Sequence, residues 1–185
     1  MRQLCEHLDV NPPPCLAAWE VHQKARIALQ HGPMSPQHCF GNIIRTFPKP
    51  VIKKMFKLQR VLSSEYRSML RTGCINNRHL MEMEGEQLLT VFDGLLFGVP
   101  LATSAWCHTH QKYCANPQAA CGGFSMHAAG TTCVDFSARS TTRMQVLGQH
   151  MVPFTVWAHT RRLHQEQLIL HECVVHHPSS MLLKR

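Results

Sequence analysis

The stretch Phe124-Ser-Met-His-Ala-Ala-Gly130 begins the part of the sequence that decides the expected fold. It is a short, mostly apolar segment that predicts a strand, and a loop rich in Thr, Ser and Arg follows it over residues 131–149. Residues 151–163 have apolar side chains at helical spacing, and Leu168-Ile-Leu170 begins a further strand that runs to about residue 175. Strand, loop, helix and strand in this order form a βαβ unit, so we expect its two strands to be parallel.

Two chemically reactive residues lie at the carboxyl ends of these predicted strands, where parallel sheets place their chemistry. Cys133 follows the first strand, and Glu172 lies near the end of the second. A thiolate is a strong nucleophile, and a buried carboxylate on an apolar strand requires a partner or a task. We therefore take Cys133 and Glu172 as candidate catalytic residues. The alternative for Cys133 is a buried structural thiol, because cysteine is commonly buried.

The sequence around both residues resembles motifs of the cytosine-C5 DNA methyltransferases. The segment Ala129-Gly-Thr-Thr-Cys133-Val-Asp-Phe-Ser137 is similar to the catalytic motif of that family, although Thr132 replaces its proline. Leu170-His-Glu172-Cys-Val174 is similar to the Glu-Asn-Val motif of the family, and the 39 residues from Cys133 to Glu172 match its interval. The resemblance covers roughly residues 124–182.

This resemblance implies an α/β fold with a Rossmann-like parallel sheet of the S-adenosylmethionine-dependent methyltransferase type. It also implies transfer of a methyl group from S-adenosylmethionine to carbon 5 of cytosine in DNA. Cys133 would add to carbon 6 of the base, and Glu172 would hold N3 and the exocyclic amine. The target base has to leave the duplex, since a stacked base is closed to a thiol.

The resemblance further assigns residues to the cofactor. Asp93 lies 40 residues before Cys133, close to where the family has its ribose-binding acid. It follows the apolar run 88–92, which predicts a buried strand and places Asp93 at a strand end, as that role requires. Gly130 and Thr132, which lie within the catalytic motif, are the other expected cofactor-binding positions.

DNA contacts are expected from two regions. Ser137, Arg139 and Arg143 belong to the loop after the catalytic cysteine, which would close over the flipped nucleotide and its phosphates. The second region, residues 42–78, has nine basic residues and one acidic residue, and so accounts for the whole net charge of +8. Within it, residues 51–71 show the periodicity of an amphipathic helix with a basic polar face. Such a face can bind a DNA phosphate backbone, and the expected contact residues on it are Lys53, Lys54, Lys57 and Arg60. The alternative is a solvated helix face.

The glycine-rich cofactor loop of the family has no clean counterpart, and its downstream motifs have no room in the chain. We therefore expect an incomplete catalytic domain, for which a second chain could supply the missing motifs. The expected organisation is a Pro-rich irregular extension with a short helix over residues 15–30, a basic helix and linker, and a partial methyltransferase-like α/β domain. Their bounds are 1–48, 49–86 and 87–185.

Cys107, His110, Cys114 and Cys121 form a second constellation, whose residue types can supply four zinc ligands. Their spacing matches no standard zinc finger, and the chain has nine cysteines and 14 histidines, so biased composition explains the cluster equally well. A rival function follows from it: a non-catalytic nucleic-acid-binding protein, with or without zinc, that retains a degenerate methyltransferase core. A different kind of thiol enzyme is less favoured, since no histidine is positioned by sequence to activate Cys133.

Membrane and secreted classes are disfavoured. The longest apolar stretch, residues 88–102, is interrupted by Asp93 and is too short to span a bilayer. The N-terminus does not resemble a signal peptide, and an odd number of irregularly spaced cysteines favours free thiols over a disulfide framework. A nuclear location is expected from the resemblance and the basic charge.

Overall fold

A computed structural model describes residues 15–33, 35–72, 78–116, 126–130 and 147–172. The chain is mixed α/β, with a four-stranded mixed sheet, a two-stranded parallel sheet and four α-helices among these residues. In chain order the elements are β1 (Ala17–Trp19), α1 (Gln23–His31), β2 (His38–Phe40), a 3-10 helix (Ile43–Thr46), α2 (Lys49–Arg71), α3 (Arg78–Leu96), β3 (Ser104–Cys107), β4 (Lys112–Ala115), β5 (Met126–Gly130), α4 (Met151–His164) and β6 (Leu168–Glu172).

The chain divides into two compact units. The first unit comprises Met1–Thr46 and Leu101–Gln118, and the second comprises Phe47–Pro100 and Ala119–Arg185. This division differs from the expected domain bounds because strands before residue 46 pair with a hairpin from residues 104–115.

The first unit is built on the sheet β1-β2-β3-β4. Helix α1 connects the parallel strands β1 and β2, while β3 pairs antiparallel with both β2 and β4. An apolar cluster lies on this sheet, with the residues Phe40, Cys107 and Cys114 buried and Ala17, Trp19 and Ala105 packed against them. The prediction of an irregular extension is therefore wrong for residues 15–46, and the expected helix begins at Gln23 because residues 17–19 form a strand instead.

The second unit contains the predicted βαβ unit. β5 and β6 pair in parallel, from Met126 opposite Leu168 to Gly130 opposite Glu172, and α4 connects them. The predicted strand, helix, strand order and the parallel pairing are confirmed over the described residues.

Helix α4 is the central element of this unit and packs against both α2 and α3. It is buried from Met151 to Arg161 except at Pro153, which is half-buried. The predicted amphipathic helix is also confirmed as α2, which runs for 23 residues and buries Ile52, Met55, Gln59, Ser63 and Tyr66. Of the apolar series that predicts it, Val51, Met55, Leu58, Leu62, Tyr66 and Met69, only Met55 and Tyr66 are on this buried face, and Met69 is exposed.

The predicted strand over residues 88–92 is wrong, because these residues lie inside α3. Leu88, Leu89, Phe92 and Leu96 are all at most 2% exposed, and their spacing places them on one face of a helix. A short apolar run is compatible with either a buried strand or a buried helix, and packing against α2 and α4 decides for the helix. In the described part of the chain, no helix has both the length and the apolar character needed to cross a bilayer.

Candidate functional site

The carboxyl edge of the β5–β6 pair forms an open groove of about 470 Å³. The register sets Gly130 directly opposite Glu172 at this edge. The Glu172 carboxylate lies close to Gly130: a Cβ built on Gly130 would be 3.4 Å from Oε2 of Glu172, an ordinary van der Waals distance. The groove is lined by Ala128, Ala129, Gly130, Leu170, His171 and Glu172.

Glu172 is exposed, which corrects the expectation of a buried carboxylate. Side chains alternate along β6, so Leu168, Leu170 and Glu172 are exposed while Ile169 and His171 are half-buried. The position of Glu172 is therefore set by strand register rather than by burial, and its carboxylate is accessible from the groove.

Two histidines on the opposite face of the pair pack against α4. The His171 ring is stacked on Trp157, with ring centroids 4.8 Å apart, and burial lowers the His171 pKa. On β5, His127 Nε2 lies 2.9 Å from the Trp157 indole nitrogen, which donates to it, and His127 Nδ1 lies 2.8 Å from the Arg161 guanidinium. Burial and the Arg161 charge lower the His127 pKa to about 3, so the His127 imidazole that contacts α4 is neutral.

Arg161 also forms an ion pair with Glu166, and both side chains are less than 10% exposed. This pair links the last turn of α4 to the residue two positions before β6. The β5–β6 pair is thereby held on α4 by stacked rings, a histidine contact and a buried ion pair.

The loop residues predicted to act in catalysis, cofactor binding and DNA contact lie outside the described residues: Thr132, Cys133, Ser137, Arg139 and Arg143. Leu147, where the described chain resumes after this loop, is fully buried. Its carbonyl accepts hydrogen bonds from the side chains of Gln59, at 2.6 Å, and Ser63. The basic helix α2 therefore anchors the chain between the loop and α4.

Asp93 does not follow a strand, contrary to its predicted setting. It lies within α3, where Arg162 of α4 donates a hydrogen bond to its carboxylate and His159 lies 3.8 Å away. Burial would raise the Asp93 pKa, but the contacts with His159 and Arg162 outweigh it and lower the pKa. The predicted position of Asp93 at a strand end, on which its ribose-binding role was based, is thus wrong. Its carboxylate instead links α3 to α4.

The predicted DNA-binding residues of α2, Lys53, Lys54, Lys57 and Arg60, are all exposed. Lys53, Lys57 and Arg60 share one face with Arg67 and Arg71 farther along the helix, which are exposed as well. At 1.5 Å per residue, this basic stripe is about 27 Å long.

In the first unit, the structure brings together Cys107, His110 and Cys114, three of the four candidate zinc ligands. It adds a fourth, His38, that the sequence did not indicate. The donor atoms of His38, Cys107, His110 and Cys114 all lie within 4.8 Å of one another. Cys107 Sγ is 3.8 Å from His38 Nδ1 and 3.5 Å from His110 Nδ1, and Cys114 Sγ is 3.5 Å from His110 Nδ1. Cys121 lies outside the described residues.

His38 was missed because it precedes Cys107 by 69 residues and no local spacing relates the two. Pairing of β2 with β3 brings them together. Burial would raise the pKa of Cys107, but hydrogen bonds from the His110 backbone and the His38 ring outweigh it and lower the pKa to about 6.

Comparison of the chain with protein-family models, with curated proteins and with solved structures gives no match.

Proposed function

We propose that the chain is a DNA (cytosine-5)-methyltransferase-like protein that transfers a methyl group to carbon 5 of cytosine through a covalent adduct with Cys133. The observation that carries the proposal is the register of β5 and β6, which places Gly130 beside Glu172 at the carboxyl edge of a parallel pair. The first residues of the two resembling motifs thus lie on adjacent strands, near the edge where parallel sheets carry their reactive groups.

Covalent geometry supports pairing the thiol with the carboxylate. Cys133 follows Gly130 by three residues, a length of chain that spans at most about 11 Å. Adjacent strands are about 4.8 Å apart, so the Cα atoms of Cys133 and Glu172 are within about 16 Å of each other. A cytosine ring with a side chain on either side fits within this limit.

The roles follow from the chemistry of the base. The Cys133 thiolate adds to carbon 6, and the electrons of the 5,6 double bond then make carbon 5 nucleophilic. One oxygen of Glu172 donates a proton or hydrogen bond to N3, which favours this addition, and the other accepts from the exocyclic amine. In this reaction the methyl group would come from the sulfonium of the donor, which would leave as a neutral thioether. A base would then remove the carbon 5 proton, and the bond between Cys133 and carbon 6 would break as the 5,6 double bond is restored.

The methyl donor in this proposal is S-adenosylmethionine. Asp93 does not fit the donor's ribose, because it lies inside a helix and is bound to Arg162. Gly130 lies at the groove, and Thr132 is outside the described residues. Support for the donor therefore comes from the resemblance alone.

DNA is the proposed substrate, and the basic stripe on α2 is its proposed backbone contact. Contacts of Lys and Arg with phosphates release counterions and add sequence-independent affinity. Since Gln59 and Ser63 of α2 bind the Leu147 carbonyl, the same helix fixes the end of the loop that follows Cys133. A nuclear location belongs to this proposal as a consequence of the substrate.

A covalent trap tests the reaction. Duplex DNA containing 5-fluorocytosine is incubated with the protein and S-adenosylmethionine and then run on a denaturing gel. Fluorine at carbon 5 cannot leave as a proton does, so an active enzyme remains bonded to the base. We expect a shifted band that requires S-adenosylmethionine, is absent in Cys133→Ala and is retained in the matched control Cys15→Ala, which removes a free thiol of the first unit.

If folded protein binds the DNA but gives no shifted band, the proposed reaction is wrong and the non-catalytic nucleic-acid-binding alternative is favoured. A band that persists in Cys133→Ala contradicts the assignment of the nucleophile.

A further inference from the structure

The cysteine–histidine cluster, defined as His38, Cys107, His110 and Cys114, occupies one face of the first sheet. Phe40 on β2 is paired with Cys107 on β3, and Ala105 on β3 is paired with Cys114 on β4. Paired residues point to the same face, as do residues two apart on one strand, so His38, Cys107 and Cys114 share a face. His110 reaches the same point from the turn between β3 and β4.

The distances fit a tetrahedral ion. With zinc–sulfur bonds of about 2.3 Å and zinc–nitrogen bonds of about 2.0–2.1 Å, a tetrahedron has sulfur and nitrogen about 3.6 Å apart. Three of the four sulfur–nitrogen distances in the cluster are 3.5, 3.5 and 3.8 Å, and all four donor atoms lie within 4.8 Å of one another. Two thiolates with two imidazoles form a ligand set typical of zinc, and four protein ligands leave no position open for substrate.

Charge and burial favour the same ion. Cys107 and Cys114 are buried, and both are free thiols. Two thiolates and two neutral imidazoles around a divalent cation have no net charge, which removes the cost of burying unpaired charges.

The described residues of the first unit also include few buried apolar side chains that could stabilise it. Among its described residues, the apolar cluster has Phe40 as its one large buried side chain, and two of its three buried members are the cluster cysteines. Small units with so little buried apolar surface are commonly stabilised by a metal or by disulfides.

From these observations we propose that His38, Cys107, His110 and Cys114 bind one structural Zn²⁺ ion that fixes β2 to the β3–β4 hairpin. The inference is independent of the proposed methyltransferase activity, because the site belongs to the first unit and its assay does not involve DNA.

The test is metal analysis of the full chain, purified without a polyhistidine tag and reconstituted with zinc. We expect about one equivalent of zinc in the wild-type protein, and less than about 0.2 in Cys114→Ser and in His38→Gln. The matched controls Cys15→Ser and His22→Gln alter a thiol and a histidine of the same unit outside the cluster, and we expect them to retain about one equivalent.

X-ray absorption on the wild-type protein does not depend on whether the variants fold. We expect two sulfur ligands at about 2.3 Å and two nitrogen ligands at about 2.0–2.1 Å from the zinc. Reconstituted protein with less than about half an equivalent of zinc overturns the site, as does a coordination shell without sulfur. Equal zinc contents in cluster variants and controls would overturn the ligand assignment.

Discussion

Gly130 and Glu172 are register partners at the carboxyl ends of two parallel strands, and a Cβ on Gly130 would be 3.4 Å from Oε2 of Glu172. The backbone of Gly130 has no positive φ that would require glycine. A Cβ alone would make an ordinary van der Waals contact with the carboxylate, whereas the additional methyl groups of a branched side chain would crowd it. A branched substitution at this position is therefore a direct probe of the proposed site.

Gly130→Val should reduce the rate of covalent adduct formation about 10- to 100-fold, because its methyl groups displace the Glu172 carboxylate from the edge. The fold should be retained, since the groove is open at this position. The measurement is the rate of the 5-fluorocytosine trap. Ala128→Val is the matched control, because Ala128 is an exposed residue on the same face of β5. Equal rates for the two variants would contradict a role for the Gly130–Glu172 contact.

Neutralising the basic stripe should weaken DNA binding and its dependence on salt. Each lost phosphate contact lowers the slope of log K against log salt by about 0.9, so Lys53→Gln/Arg60→Gln should lower it by about 1.8. Lys24→Gln/Lys112→Gln removes the same charge from exposed positions in the first unit, outside residues 42–78, and serves as the control. Fluorescence anisotropy over a salt series measures both slopes. If the salt dependence of Lys53→Gln/Arg60→Gln equals that of the wild-type protein, the proposed contact between α2 and DNA is wrong.

The buried ion pair between Arg161 and Glu166 should be important for the stability of the second unit. Glu166→Gln leaves the Arg161 guanidinium buried without its partner, and should lower the free energy of unfolding by about 3–5 kcal/mol. Arg162→Met removes the more exposed pair with Asp93 and should cost only about 1 kcal/mol. Urea unfolding followed by circular dichroism measures both. Equal decreases in the free energy of unfolding of the two variants would contradict a larger contribution from the buried Arg161–Glu166 pair.

Acid should destabilise the second unit through His127. Its pKa is about 3 in the folded protein against an ordinary value of 6.5, so below pH 6.5 the unfolded chain binds a proton that the folded chain does not. The free energy of unfolding therefore decreases as the pH falls from 6.5 towards 3. His127 alone should account for a decrease of about 3 kcal/mol between pH 6.5 and pH 4. His171, whose pKa is also lowered, acts in the same direction.

Urea unfolding at a series of pH values measures this effect. In His127→Gln the fall in stability over this range should be much shallower, because the substituted side chain does not titrate. A slope equal to that of the wild-type protein would contradict the assignment to His127. Asp93, whose pKa is lowered, contributes separately: its stabilisation is present above pH 3.8 and is lost at lower pH.

Removal of zinc should loosen the first sheet. With the ion chelated, amide hydrogens of β2, β3 and β4 should exchange at least about tenfold faster, while those of α4 should be unchanged. Hydrogen exchange with mass spectrometry, with and without a chelator, measures both regions in one sample. Unchanged exchange in the β3–β4 hairpin would contradict a stabilising role for the ion.

The amphipathic helix α2 and the βαβ order of the second unit could be predicted from the sequence because both depend on local periodicity. Side chains every three or four residues define the buried face of α2, and a strand, helix and strand close together in the chain favour a parallel crossover. The same reasoning predicted Glu172 near the carboxyl end of the second strand, and the structure has it as the last residue of β6.

Tertiary packing decided the features that depend on distant segments. Residues 88–92 are equally suited to a buried strand or a buried helix, and contacts with α2 and α4 make them helical. As a result, Asp93 lies within α3 and pairs with Arg162, and does not lie at the strand end that the sequence predicted. His38 joins Cys107 through strand pairing across 69 residues, a relationship that no local pattern encodes. The sequence by itself thus determined which segments form the α2 helix and the parallel pair, while side-chain packing between remote segments decided which residues meet.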